Sequence, residues 1–205
     1  MSKILPIFAI LLLSLLLLWL LLAWDPAPIS ATSHDQLKLE AHPVGGEFEL
    51  SSAQGPVKLS DLKGKLVLLY FGYTACPDIC PTNLAIIALA LRELTRDELD
   101  AVQVVFVSVD PERDTPERLA SYVGYFHPRM IGLTGSAQAV ANAAKQYGAA
   151  YQRSDAGDSA MGYMIDHSAY TYVIDRSGRL VEVLGHATPA EEIVAILRHH
   201  LSALG

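Results

Sequence analysis

The first 24 residues set hydrophobic positions apart from everything that follows. From Ile4 to Trp24 there is no charged residue and leucine dominates. A helix rises about 1.5 Å per residue, so such a tract is long enough to span the roughly 30 Å hydrocarbon core of a bilayer. A cleaved signal peptide normally has a shorter apolar region, and Trp24-Asp25-Pro26 is a poor small-residue cleavage site. No cysteine follows the tract to be lipidated. The pattern predicts an uncleaved transmembrane anchor over residues 1–24. Lys3 on one side and Asp25 on the other keep the N-terminus inside, with Trp24 near the outer interface and Trp19 either there or packed inward. The rest of the chain is then expected on the periplasmic side of a bacterial cytoplasmic membrane, held by a single pass.

Residues 25–44 carry Pro26, Pro28 and Pro43 without periodicity and read as a flexible tether. From Gly45 the patterning is that of a folded domain, residues 45–205. Alternation in Glu47–Leu50 and Val57–Leu59 predicts an opening hairpin. Leu66–Tyr73 and Val102–Val109 are nearly continuous apolar runs, as in strands buried on both faces. A helix is expected from Thr82 to about Leu94. Thr115-Pro116 opens another, with Leu119, Tyr122, Val123 and Phe126 on one face. Met130–Leu133 reads as a short strand, and Ser136 as the cap of a helix ending near Gly148. Tyr151–Asp166 reads as a long polar loop. Tyr170–Asp175 and Leu180–Leu184 form a closing hairpin, and Thr188-Pro189-Ala190-Glu191 reads as a capping box for the last helix. Strands alternating with helices, then a hairpin and a helix, define an α/β domain with a mixed sheet.

The net charge is −7 with no basic stretch, which excludes nucleic-acid binding through phosphate neutralisation. The chain has two cysteines, Cys76 and Cys80, directly after a buried strand and at a helix start. Residues i and i+4 share a helix face about 5–6 Å apart at Cβ. The helix N-terminus favours thiolates, which attack disulfides and bind metal. A disulfide closing so short a loop contributes only about 2 kcal/mol, a weak structural role. Two cysteines also fall short of the four ligands of a structural zinc site. Thiol-disulfide exchange and soft-metal binding both remain open. Among the domain's histidines, His127, His186, His199 and His200 have ordinary explanations as helix-end or loop residues. His167 stands just before the Tyr170–Asp175 strand.

The run Tyr70-Phe71-Gly72-Tyr73-Thr74-Ala75-Cys76-Pro77-Asp78-Ile79-Cys80-Pro81-Thr82 resembles the signature of the Sco/SenC family. Ser108–Pro116 resembles its second motif, Asp166-His167-Ser168 its histidine motif, and Gly45-Gly46 with Phe48 its domain start. Ala75 departs from the larger or polar residue common there. The resemblance runs from about Gly45 to Leu201. It implies a thioredoxin-like fold behind a membrane anchor, and copper, as Cu(I) or Cu(II), held by Cys76, Cys80 and His167. It implies a chaperone that helps assemble the binuclear copper centre of cytochrome c oxidase. Its partners would be that copper-bearing subunit, a copper donor protein and a thiol reductant. The rival reading is a thiol-disulfide oxidoreductase or thiol peroxidase using Cys76 and Cys80. Against it stand a spacing one residue longer than C-x-x-C and the lack of any proline between Thr134 and Thr188 to face the cysteines. Asp78, Met161 and Met164 read as helix-start and loop residues, and Asp110–Pro116 as turn chemistry supporting the site.

Overall fold

The computed structural model describes residues 11–19, 42–155 and 162–202. The chain divides into two units, Met1–Asp35 and Gln36–Gly205. Of the first, residues 11–19 are helical with exposed side chains. Among the described residues no helix is long and apolar enough to cross a membrane. The rest of the expected span from Ile4 to Trp24, Trp24 itself and the tether up to residue 41 lie outside the described residues.

Early in the described part of the second unit, Val44 N and Gly45 N both donate to Gln146 O, at 3.2 and 3.0 Å. The hairpin β1 (Glu49–Ser52) and β2 (Gly55–Lys58) follows, with Ser52 paired to Gly55 across a two-residue turn. The strands run further into the turn than the alternation alone suggests. A 3-10 turn, Leu59–Leu62, leads to β3 (Leu66–Gly72), in which every residue is buried.

β3 is the centre of a five-stranded sheet. Its parallel neighbour is β4 (Val102–Ser108), and β5 (Met130–Leu133) lies parallel beyond that. On the other side β8 (Thr171–Ile174) runs antiparallel to β3, and β9 (Leu180–Leu184) antiparallel to β8. The sheet is mixed, as the alternation of strands and helices predicts. Helix α1 (Ile79–Arg92) follows β3, and a short α2 (Arg96–Asp100) precedes β4. Then come α3 (Pro116–Phe126), α4 (Ala137–Gln146) and, last, α5 (Ala190–Ser202).

Strand periodicity sorts the central residues onto two faces. Tyr70 stacks on Phe106, which meets Tyr122 of α3; this is the face that α1 covers. Phe71 and Tyr172 meet Tyr147, at the end of α4, on the other face. α3 begins where the sequence predicts: Thr115 Oγ1 accepts from Arg118 N at 3.2 Å, with Pro116 in the first turn. Ser136 Oγ likewise caps α4, accepting from Ala139 N at 3.2 Å. Before α5, the Thr188 hydroxyl donates instead to Gly185 O, at 2.9 Å.

Two expectations are corrected. α1 starts at Ile79, not Thr82, which takes Cys80 into its first turn. Pro81 does not prevent this, because first-turn N–H groups have no carbonyl partner in the helix. The expected loop Tyr151–Asp166 contains β6 (Tyr151–Asp155) and β7 (Tyr163–His167), paired antiparallel with Tyr151 opposite His167. Its polar composition hides the strands: Gln152, Ser154 and Asp166 lie on one face, while Tyr163, Ile165 and His167 alternate onto the other.

A candidate metal centre

Cys76 lies in the turn after β3, Cys80 in the first turn of α1, and His167 at the last position of β7. These elements bring one ligand atom from each to within 4.8 Å of one another. All three residues are buried, Cys80 completely. No disulfide joins the two sulfurs. Cys80 Sγ is 3.2 Å from His167 Nε2, across 87 residues of sequence.

The histidine's tautomer follows from its other nitrogen. His167 Nδ1 is 3.1 Å from Ser168 O. A carbonyl only accepts, so Nδ1 carries the hydrogen and Nε2 turns its lone pair toward the sulfurs. That is the form in which imidazole ligates a metal. Aromatic edges hold the ring: Tyr73 meets it at 5.8 Å and 82°, Tyr70 at 6.3 Å and 77°.

The two thiols ionise at opposite ends of the range. A hydrogen bond from the Cys80 side chain is the main reason that Cys76 is pulled down to about 4. Burial opposes it; the backbone N–H groups of Asp78 and Cys80 add to it. Those N–H groups belong to the start of α1, where Asp78 offers no side-chain cap, so the sulfur takes the helix terminus. Burial pushes Cys80 well above the usual thiol range, and the neighbouring Cys76 adds to the effect. At neutral pH the pair is one thiolate beside one thiol.

Close packing fixes the Cys80 sulfur. A Cβ on Gly72 would stand 2.6 Å from Cys80 Sγ and 2.9 Å from Phe106 Cε2, so only glycine leaves room. Asn83, one turn on, is buried and donates to Thr171 Oγ1 at 3.0 Å while accepting from Ala187 N at 3.2 Å. α1 is thereby tied to β8 and to the loop before α5.

The segment Ser108–Pro116 does more than turn chemistry. Asp114 is buried and accepts from Thr74 N at 2.9 Å, Thr74 Oγ1 at 2.5 Å and Ser108 Oγ at 2.6 Å. It fastens the cysteine turn to the end of β4. Asp110, also buried, pairs with Arg113 and accepts from Tyr163 Oη at 2.7 Å. Arg113 Nη1 donates to Tyr163 O at 3.0 Å, and Tyr73 Oη accepts from Ile165 N at 3.3 Å. The strand that carries His167 is thus fastened to the same loop. A short polar segment punctuated by Pro111 and Pro116 gives no sign in sequence that its carboxylates are buried.

The other candidates stand apart. Asp78 is exposed. Met164 alternates away from His167 on β7, and Met161 lies outside the described residues. His127 Nδ1 accepts from Arg129 N at 3.2 Å, and His200 Nε2 lies 3.1 Å from Glu182 Oε2. Among the described residues, Cys76, Cys80 and His167 form the one cluster with metal-ligand geometry.

A mixed five-stranded sheet flanked by helices, with two sulfurs and an imidazole converging beside its central strand, defines a thioredoxin-like domain with a potential metal centre. Residues 37–202 match the SCO1/SenC family model. The chain belongs to the SCO1/SenC family. It is 40% identical over 157 residues to a SCO2-like protein of Rickettsia conorii, covering 76% of each chain. Apo Sco1 of Thermus thermophilus is 44% identical, with a TM-score of 0.69 over 77% of this chain and 91% of that one. ScoI of Bradyrhizobium japonicum, solved with copper bound, is 38% identical, with a TM-score of 0.70 over 77% and 99%.

Proposed function

We propose that this protein binds copper through Cys76, Cys80 and His167 and delivers it to the binuclear copper centre of cytochrome c oxidase. The family is linked to assembly of that enzyme. The observation that carries the reading is the convergence of the three ligand atoms in one buried cluster. Thiolates select Cu(I), and imidazole suits both oxidation states. Three protein ligands leave a coordination position open, through which an ion can pass to a partner. We place the protein on the periplasmic face of the cytoplasmic membrane, anchored by the apolar tract before Asp25. There it would meet a copper donor, the copper-bearing oxidase subunit and a reductant for its thiols.

The test is copper content and absorption of the full chain in detergent. The parent should hold one copper and, as Cu(II), show a sulfur-to-metal charge-transfer band. C76S, C80S and H167A should each lose the band. A parent without it, or an H167A variant that binds copper as well as the parent, overturns the assignment.

A second reading is favoured by one feature, the low Cys76 pKa beside a protonated Cys80. That pair suits attack on a protein disulfide. Disulfide reduction that persists in H167A supports this role, either alone or as a step before copper delivery.

A further inference from the structure

Tyr70 is fully buried, and its hydroxyl makes no full hydrogen bond, its one polar neighbour being the Cys80 side chain. An orphaned buried hydroxyl is costly, so its place calls for a reason. Its surroundings supply one. Tyr70 shares a face of β3 with Gly72, the residue whose missing side chain makes room for Cys80 Sγ. Its ring stacks on Phe106 at 6.1 Å and meets the His167 ring at 6.3 Å. Phe106 and His167 are the two rings that flank the Cys80 sulfur, at the Gly72 gap and at 3.2 Å respectively. The phenol therefore sits among the groups that hold this sulfur, with a donor still to place.

We infer that Tyr70 is a positioning residue of the metal site, whose hydroxyl donates a hydrogen bond to Cys80 Sγ when that sulfur is bound to copper. The inference rests on the copper reading above. A thiol or disulfide sulfur is a weak acceptor, whereas a metal-bound thiolate carries charge and accepts well. The hydroxyl thus has no strong acceptor in the metal-free protein and gains one on loading. Such a bond draws electron density from the sulfur. It lowers donation to the metal and favours Cu(I) over Cu(II), the same lever that hydrogen bonds to a cysteine sulfur exert at blue-copper sites.

Y70F removes one oxygen and leaves the ring packing in place. Y172F is the control: its hydroxyl is also buried, but it lies on the opposite sheet face, against Phe71 and Tyr147 and near the Ser168 side chain. The full chain in detergent is loaded with one equivalent of Cu(II) for the absorption band. Competition against chelators gives the Cu(I) and Cu(II) affinities, and circular dichroism gives the fold. In Y70F the charge-transfer band should move to longer wavelength. The ratio of Cu(I) to Cu(II) affinity should fall about tenfold, as for loss of a hydrogen bond to a charged acceptor. Y172F should leave both unchanged. A folded Y70F with the parent's band and ratio overturns the inference, as does a Y172F that shifts them equally. Exchange of the parent into D2O is a second readout that needs no variant, because a hydroxyl donating to the sulfur must move the copper–sulfur stretch. A stretch that stays in place overturns the proposal. Absence of any band in the parent overturns the copper reading, and this inference with it.

Discussion

Cys80 Sγ and His167 Nε2 lie 3.2 Å apart although one belongs to the first turn of a helix and the other to the end of a hairpin strand. Ser168 O holds the proton on the far side of the ring, so the nitrogen that faces the sulfur is the one able to ligate. The same sulfur hydrogen-bonds to Cys76 and helps to hold that thiol down at about 4. The Cys80 sulfur is therefore the shared neighbour of both other ligands before any ion arrives.

The first prediction concerns reactivity. Cys76 ionises at about 4 and Cys80 well above the ordinary thiol range. The thiolate is the nucleophile, so iodoacetamide should modify Cys76 first, at a rate near its plateau at pH 7 that falls as pH drops through about 4. In C80A the main donor to the Cys76 sulfur is gone, and the midpoint should move up toward the ordinary thiol value. Mass spectrometry of the alkylated chain across pH reads both. A Cys76 midpoint that C80A leaves unmoved would show that the helix terminus alone sets it.

A second prediction follows from packing. In G72A the new methyl would meet both Cys80 Sγ and the Phe106 ring. Overpacking of a tight core costs about 1–3 kcal/mol. The sulfur, the softer neighbour, should be displaced, so copper binding should fall along with stability. Gly124, within α3, has nothing within 4 Å of its missing Cβ. G124A should therefore leave binding alone and raise stability by up to about 1 kcal/mol. Urea melts and copper titration separate the two cases.

The elements built on strong apolar patterns were legible in the sequence, and so were the capped helices. β3 and β4 are continuous apolar runs because both faces of the sheet are covered, and Thr115 and Ser136 cap as their spacing predicts. The two sulfurs stood out by residue type and position. His167 came only through family resemblance, because its strand is disguised by polar residues on one face and pairs with an equally polar β6. Asp110 and Asp114 were missed as site supports for a related reason. A carboxylate's burial depends on partners 40 to 53 residues away, Thr74 and Tyr163, and local pattern carries no trace of them.

The third prediction is about acid stability. Asp175 Oδ1 accepts from Ser177 N at 2.9 Å, Ser177 Oγ at 2.6 Å and Arg179 N at 3.0 Å, closing the β8–β9 turn. Burial pushes its carboxyl up, but the donors together prevail and hold it at about 2. In an unfolded chain it ionises at about 3.9. Its contribution is therefore complete above about pH 4 and is lost as pH falls through about 2. D175N should cost about 1–2 kcal/mol at neutral pH. The parent's advantage should shrink between about pH 4 and 2, which urea melts across that window would measure. A gap that stays constant over the window would mean the charge is not what closes the turn.

The last prediction tests how the histidine strand is held. Tyr163 stands four residues before His167 on β7, on the same face. Its ring lies between two guanidinium groups, Arg113 at 3.7 Å and Arg153 at 3.5 Å. Its hydroxyl donates to buried Asp110. Arg113 also lies 5.7 Å from the Tyr73 ring, which in turn edges onto His167. Y163F removes one hydrogen bond and should loosen the hairpin by about 1 kcal/mol. Y163A also removes both cation–π contacts, each worth about 0.5–1 kcal/mol at exposed sites, and should loosen it by about 2–3 kcal/mol. Hydrogen exchange at Ile165 N, which donates to Tyr73 Oη, reports the opening directly. Protection there should fall in the order parent, Y163F, Y163A, and copper should dissociate faster in the same order. Metal release that accelerates while Ile165 stays protected would mean that Tyr163 acts on the site by some route other than holding the strand, because opening of the hairpin is the step that both measurements share.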